Sequence, residues 1–435
     1  MKKNKRLLLG FLGVIAIVAI MGFSLTTCEE PADTQTAKTL SSIRLNTTSV
    51  KKNYAPNETL NLTGLIVTAV YSDDSSAAVT NYTANPVNGT TLSTTGTKPV
   101  TISYTEETVT KNATFNVVVS APEPTYLLFT SDVHWRDGTN QRGIFFTWMP
   151  KMVENIPTGV EYMSWHGDHA GSNNNEASSR HWINAEIVMR EANTYVDSGF
   201  IKNKNIYIFG NHEWNIPSSS VHGGNYTTDH DSWAAQQLDP IHTKYEEDKY
   251  VIYVLGAIYT PLPSDGCLQQ FAQSEIDTLG TYLETTTSTV PLFIIAHHPI
   301  HSINLNSRAR FTEGSPDKLV TLLNEYSEQR DIYFLWGHNH SQNPTRDPNY
   351  DTLFLPGSTL KVLPGGKTAA WANVVDQEIQ FTYLAAGCLS DVEYTGGSEL
   401  VLGKAVLAVI TDGKAAFTYY DKNAEILTHR IVGAQ

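Results

Sequence analysis

The sequence predicts an α/β domain preceded by a small all-β sandwich, on three observations. From Ser41 to Ser120 the chain is rich in Thr, Asn, Val and Tyr, alternates apolar with polar residues and carries almost no helical periodicity. From Tyr126 onward, short apolar runs alternate with helical stretches, the pattern of a layered α/β domain. Five of those runs stop abruptly in His, Asp or Asn: YLLFTSDVH, YMSWHGDHAG, NIYIFGNHE, FIIAHHP and IYFLWGHNH. A length of 435 residues allows two or three domains, and a hydrophobic fraction of 41% is ample for packed cores.

The chain opens on the basic segment MKKNKR, and Leu7–Leu25 carries no charge. A basic start before an apolar run reads as a secretory leader, and the run is also long enough for an uncleaved anchor. Leu25-Thr26-Thr27-Cys28 resembles a bacterial lipoprotein cleavage box, with Thr27 where such boxes prefer Gly, Ala or Ser. The resemblance implies lipidation at Cys28, with residues 1–28 as signal peptide and lipobox. Cleaved or not, the leader places the rest of the chain outside the cytoplasm, facing the periplasm or the cell exterior; lipidation or an uncleaved anchor would hold it to the membrane, and a plain buried Cys28 is the remaining alternative. Residues 29–40, EEPADTQTAKTL, are polar and aperiodic, as suits a tether.

Residues 41–120 contain LNLTGLIVTAVYSD, which alternates apolar and polar positions, and VTISYTEETVTKNATFNVVV, which reads as a hairpin turning near Glu106-Glu107. The stretch NYAPNETLNLTGLIVTAVYSDDS resembles a bacterial Ig-like domain. That likeness implies a spacer, or a module that binds a cell-surface ligand. APEPT, residues 121–125, is a Pro-rich joint to a domain spanning 126–435. Within it Gln141–Glu154, Arg180–Tyr195 and Ser274–Thr285 read as helices. Pro150 is expected to kink or end the first, and Ser274 to cap the third. The tail returns to strands, and Asp412-Gly413 between two apolar runs is a hairpin signal.

His, Asp and Asn at successive strand ends form the ligand set of a hydrolytic metal site. Each fragment alone is common; their order carries the information. D-V-H, G-D, G-N-H-E, H-H-P and G-H-N-H, in that order, resemble the calcineurin-like metallophosphoesterase superfamily over about Tyr126–Asn343. The resemblance implies an αββα sandwich of two mixed sheets flanked by helices, and two divalent or trivalent metal ions, with Mn, Fe or Zn suited to the mixed N/O donors. Asp132, His134 and His340 are then expected at the first metal, and Asn211, His297 and His338 at the second. Asp168 bridges the two, and hydroxide held between the ions attacks a phosphomonoester or phosphodiester. His212 is expected beside the substrate, steadying the phosphoryl group or protonating the leaving oxygen. Of the doublet, His297 rather than His298 fits the family pattern H-x-P, and His166, His169 and His301 remain as outer or surface residues.

The chain departs from that pattern at Gly171, where the family usually has an Asp or Asn that orients the catalytic His. Asn173–Asn175 or Glu213 are conceivable substitutes. Arg136 and Trp214 flank two of the motifs and are candidate substrate contacts. A net charge of −14 argues against an extended nucleic-acid-binding surface. No phosphate-binding Gly loop and no serine-nucleophile elbow is present. The alternative reading is a surface adhesion protein that works through its N-terminal module, with the second domain as scaffold. Apart from Cys28 the cysteines are Cys267 and Cys388, and the sequence leaves open one disulfide or two buried thiols.

Overall fold

The computed structural model describes residues 38–135, 143–169, 179–210, 233–255, 258–261, 267–305, 308–310, 312–338, 353–389 and 404–427. Cys28, Arg136, Gly171, Asn211, His212, Trp214 and His340 lie outside them. The chain divides into two compact units, Met1–Ala121 and Pro122–Gln435. Strands dominate and helices are few.

In the first unit Leu40–Asn46, Ile66–Tyr71 and Ser76–Val79 form an antiparallel sheet. A second sheet has the order Asn53–Tyr54, Val109–Val119, Gly96–Glu106, Thr83–Asn85. Their inner faces share one core, in which Ile43, Val67 and Ala69 meet Val100, Ile102 and Val117. Along the central strand every second residue is buried, at Val100, Ile102 and Tyr104, as the period of a pleated strand requires. The hairpin turns at Glu107-Thr108, one residue later than the sequence predicts, with Glu106 paired to Val109 and Glu107 at φ 53°.

The second unit is built on two mixed sheets. In the first, β1 (Thr125–Thr130), β2 (Val160–Trp165) and β3 (Ile201–Tyr207) run parallel. In the second, β4 (Lys244–Glu247), β5 (Tyr250–Val254), β6 (Leu292–Ile295), β7 (Ile332–Trp336), β8 (Leu353–Phe354) and β9 (Thr382–Ala385) stand in the order β4-β5-β6-β7-β9-β8. The chain then returns to the first sheet, where β10 (Ala405–Thr411) adds antiparallel to β1 and β11 (Lys414–Tyr420) lies outside it. Asp412-Gly413 makes the expected tight turn, both residues at positive φ (52° and 75°).

Alternation along β1 explains the layering. Leu127 and Phe129 point into a core shared by the two sheets, where they join Ile206, Ile252, Phe293, Ile295 and Leu335. Leu128 points the other way, toward helices α1 (Gly143–Asn155) and α2 (Ser179–Asp197), which contribute Trp148, Met149, Met152, Val188 and Met189. On the far face of the second sheet, Val251, Ile294 and Phe334 meet α3 (Gln273–Thr285) and α4 (Pro316–Ser327) through Ile276, Leu279, Leu319 and Leu323. The layers therefore run helix, sheet, sheet, helix. Strands β5, β6 and β7 are buried at every position because helices cover one face and a sheet the other.

Several sequence expectations need correction. Helix α1 continues through Pro150 to Asn155. The ring removes one backbone donor, but fully buried Trp148, Met149 and Met152 on either side hold the helix to the sheet. Helix α3 is capped by Ala272, without a side-chain hydrogen bond, and Ser274 sits inside its first turn. The apolar run of NIYIFGNHE belongs to a strand that spans Ile201–Tyr207, because parallel pairing with β2 recruits the polar Lys202–Asn205 as well. Helix α4 is absent from the sequence reading, although Ser315-Pro316 before buried Leu319, Val320 and Leu323 is a helix-start signal. Among the described residues no helix is long and apolar enough to cross a membrane.

Candidate metal centre

Four strand ends from both sheets converge on one buried cluster. Asp132 follows β1, Asp168 follows β2, His297 follows β6 and His338 follows β7, each two or three residues beyond its strand, and His134 lies just past Asp132. This is the carboxyl edge of the parallel strands, where α/β sheets leave room for ligands because the chain turns away toward the next helix.

The turns that present these side chains are strained. Asp132, His134, Asp168 and His338 have φ of 53°, 47°, 53° and 68°. For a non-glycine L-residue the left-handed region costs roughly 1–2 kcal/mol, so the surrounding structure must hold each one there. Backbone hydrogen bonds lace the first two turns together: Asp132 N–H to Gly167 O (3.1 Å), His134 N–H to Asp168 O (3.0 Å) and Trp135 N–H to His169 O (3.1 Å). Ser131 Oγ donates to His166 O at 2.9 Å, and the Gly337 N–H donates to His297 O at 2.9 Å. Two glycines allow the approach. A Cβ on Gly167 would lie 2.6 Å from both Gly210 Cα and His297 Nδ1, and one on Gly337 only 1.8 Å from Ser131 Oγ.

Within the cluster the donor atoms are aimed at a common space. Asp168 uses its two oxygens on opposite sides, Oδ2 at 3.5 Å from His134 Nε2 and Oδ1 at 3.4 Å from His297 Nε2. Asp132 accepts the His338 N–H on Oδ2 at 2.7 Å, while its Oδ1 stands 3.6 Å from His134 Nε2. His297 Nδ1 is hydrogen-bonded to the His166 carbonyl. A carbonyl only accepts, so Nδ1 carries a proton, which leaves Nε2 to face Asp168 and His338 Nδ1, the latter 3.3 Å away. One donor atom each from Asp132, Asp168 and His297 lie within 4.8 Å of one another, and the same holds for His297, His298 and His338. Carboxylates and imidazoles at this spacing fit divalent or trivalent cations.

Charge supports that fit. Burial acts to lower the His297 pKa, but the charge of Asp168, its hydrogen bond and the charge of Asp132 outweigh burial and raise it to about 9. Burial pushes His166 and His301, which lack such an excess of negative charge, down to about 3. The neighbourhood of Asp168 thus favours a positive charge in an interior that otherwise expels one. The sign for the metal-free protein follows. A raised His pKa stabilises fully below the unfolded value near 6.5 and is lost as pH rises through about 9. The depressed pair stabilises above 6.5 and is lost as pH falls toward about 3. Melting temperatures of chelator-treated protein are expected to peak near pH 6.5, each group contributing about 1.4 kcal/mol per pH unit on its limb. A flat profile from pH 6.5 to 9 would contradict the His297 assignment.

The structure thus brings together Asp132, His134, Asp168, His297 and His338. His166, His169 and His301 are fully buried, which excludes the surface alternative. His169 Nε2 lies 3.0 Å from the Ile208 carbonyl, and His301 Nδ1 2.8 Å from Tyr383 Oη. His298, expected to be the less suited of the doublet, is equally buried and belongs to the cluster; the doublet itself was its visible signal. Cys388, with Sγ 3.7 Å from the Asp132 carbonyl, also borders the site and had no signal in the sequence beyond its presence.

Residues 47–119 match the family model of a bacterial Ig-like domain (group 3), so the first unit carries such a domain. No curated protein matches the chain. A chain in a solved crystal structure aligns over 68% of this one and 99% of its own length, at 11% identity and a TM-score of 0.29, a likeness too loose to bear on fold or function.

Proposed function

We propose that the chain is an exported, membrane-tethered phosphoesterase of the calcineurin-like type, with the two-sheet unit as its αββα sandwich. The observation that carries this reading is Asp168, whose two oxygens face His134 on one side and His297 on the other. A carboxylate so placed suits a bridge between two cations. Asp132, His134 and Asp168 would hold one ion, and Asp168, His297 and His338 the other, with His340 and Asn211 completing the sets by resemblance. Bound ions would supply positive charge opposite the phosphoryl oxygens and make water a better nucleophile at neutral pH.

The protein's own part is orientation. The His338 N–H holds the Asp132 carboxylate in place, and the His166 carbonyl fixes the His297 tautomer. The left-handed turns aim the side chains before any ligand arrives, which removes reorganisation from the reaction. His212, placed by resemblance, would protonate the departing oxygen. Phosphomonoesters and phosphodiesters both suit this chemistry.

The test is hydrolysis of a chromogenic phosphomonoester and a chromogenic phosphodiester by the chain from Glu29 onward, with Mn²⁺ and with chelator. Turnover that requires metal and stops with chelator is expected; protein that binds no metal would overturn the proposal. Export and tethering rest on the apolar leader and Cys28. Cys28→Ser is expected to shift the protein from the membrane fraction to the soluble one, unless an uncleaved leader anchors it instead.

A further inference from the structure

We infer that His298 is a metal ligand, so that the second metal position gains a third imidazole, His298 beside His297 and His338. This rests on the metal-centre reading above and specifies its second position. Neighbouring side chains in an extended chain point to opposite sides. The chain bends at His297-His298 immediately after β6, and the bend brings both rings to the same place. The His297 and His298 ring centroids are 4.6 Å apart with planes at 85°, and the His298 and His338 centroids only 4.3 Å apart at 47°. All three side chains are buried, and a nitrogen of each lies within 4.8 Å of the other two.

The spacing suits coordination. At a metal–nitrogen distance of about 2.05 Å, two ligands of a tetrahedral ion stand about 3.4 Å apart. His297 Nε2 and His338 Nδ1 are already 3.3 Å apart, so a cation there needs His298 to close by no more than about 1.4 Å. The two positions then differ in kind. With Asp168 shared between them, Asp132 makes the first position richer in oxygen and suited to Mn or Fe, while three imidazoles on the second favour Zn over Mn. The chain thereby builds chemical asymmetry into the two halves of one centre.

The test uses the full-length protein. Wild type and His298→Phe, which keeps a flat ring without nitrogen donors, are loaded with Zn²⁺, dialysed against a competing chelator and analysed for metal per chain. In parallel, Co²⁺ is bound to wild type and to His298→Cys. Wild type is expected to retain two ions and His298→Phe one, with Zn²⁺ affinity at the second position lower by at least about tenfold. The Cys variant is expected to show a near-ultraviolet thiolate-to-cobalt band that wild type lacks, a signature that only a residue within bonding distance produces, and one that remains decisive if the Phe variant fails to fold. Two ions retained equally tightly by a folded Phe variant, or no new band in a Cys variant that binds Co²⁺, would overturn the ligand assignment alone. Wild type that binds no ion would overturn it together with the metal-centre reading.

Discussion

Asp168→Asn is expected to lower metal-dependent phosphoester hydrolysis by about a thousandfold or more, equivalent to roughly 4 kcal/mol of transition-state stabilisation. The substitution is nearly isosteric, and Asn tolerates the left-handed backbone at φ 53° at least as well as Asp. The turn should therefore survive, and the lost atom is the cause of the effect. Asp168 now offers one oxygen toward His134 and another toward His297. An amide keeps one oxygen and replaces the other with a donor that cannot ligate a cation, so one side of the bridge fails. Metal analysis should show at least one ion lost while circular dichroism is unchanged. Two tightly held ions and undiminished turnover in the variant would remove Asp168 from the centre of the site.

Gly337→Ala is expected to be the most damaging small substitution to the fold around the site, by about 3 kcal/mol or more. The new methyl would lie 1.8 Å from Ser131 Oγ, 2.7 Å from Ser131 Cβ and 2.9 Å from Asp132 Oδ2. Ser131 cannot swing aside freely, because it is buried and its hydroxyl donates to the His166 carbonyl. Relief must come from parting the β1 and β7 turns, which breaks the bond from the His338 N–H to Asp132. Thermal melts should show a large fall in Tm, and adding Ser131→Gly should recover part of it, since the two nearest atoms then vanish. Gly280→Ala is the control of opposite sign: it lies inside α3, its nearest contact is Leu322 Cδ1 at 3.6 Å, and Ala favours a helix by up to about 1 kcal/mol. Equal melting temperatures for Gly337→Ala and wild type would refute the steric argument.

Much of this site was legible as text because its grammar is local. An apolar run that stops at Asp-x-His, Gly-Asp or Gly-His announces a strand end with polar groups, whatever the strand packs against. The Asp412-Gly413 turn was legible for the same reason: two residues that accept positive φ sit between two apolar runs. Features that depend on partners were less so. Ser274 looks like a cap in the sequence, yet α3 begins two residues earlier because Phe271 and Ala272 leave the preceding strand there. Pro150 looks like a helix breaker, yet α1 runs through it because the packing of Trp148 and Met152 outweighs one missing hydrogen bond. Helix α4 went unread although Leu319, Val320 and Leu323 recur at helical spacing behind Ser315-Pro316; contact with the second sheet shows which face of that stripe is buried.

The sequence by itself determined which side chains are offered: its order of motifs names the imidazoles and carboxylates, and its alternation separates a β-sandwich from a layered domain. Only the tertiary structure decided which of those groups meet. Asp132 and Asp168 come from one sheet, His297 and His338 from the other, and β10 must return across the chain to pair with β1 before the first sheet is complete. The left-handed turns belong to that second category too. An Asp or His enters that region against its own preference, and it stays there because bonds to residues far along the chain, such as that from the His338 N–H to Asp132, repay the local strain. Local patterns record what a residue prefers, whereas a site is made where distant contacts override preference.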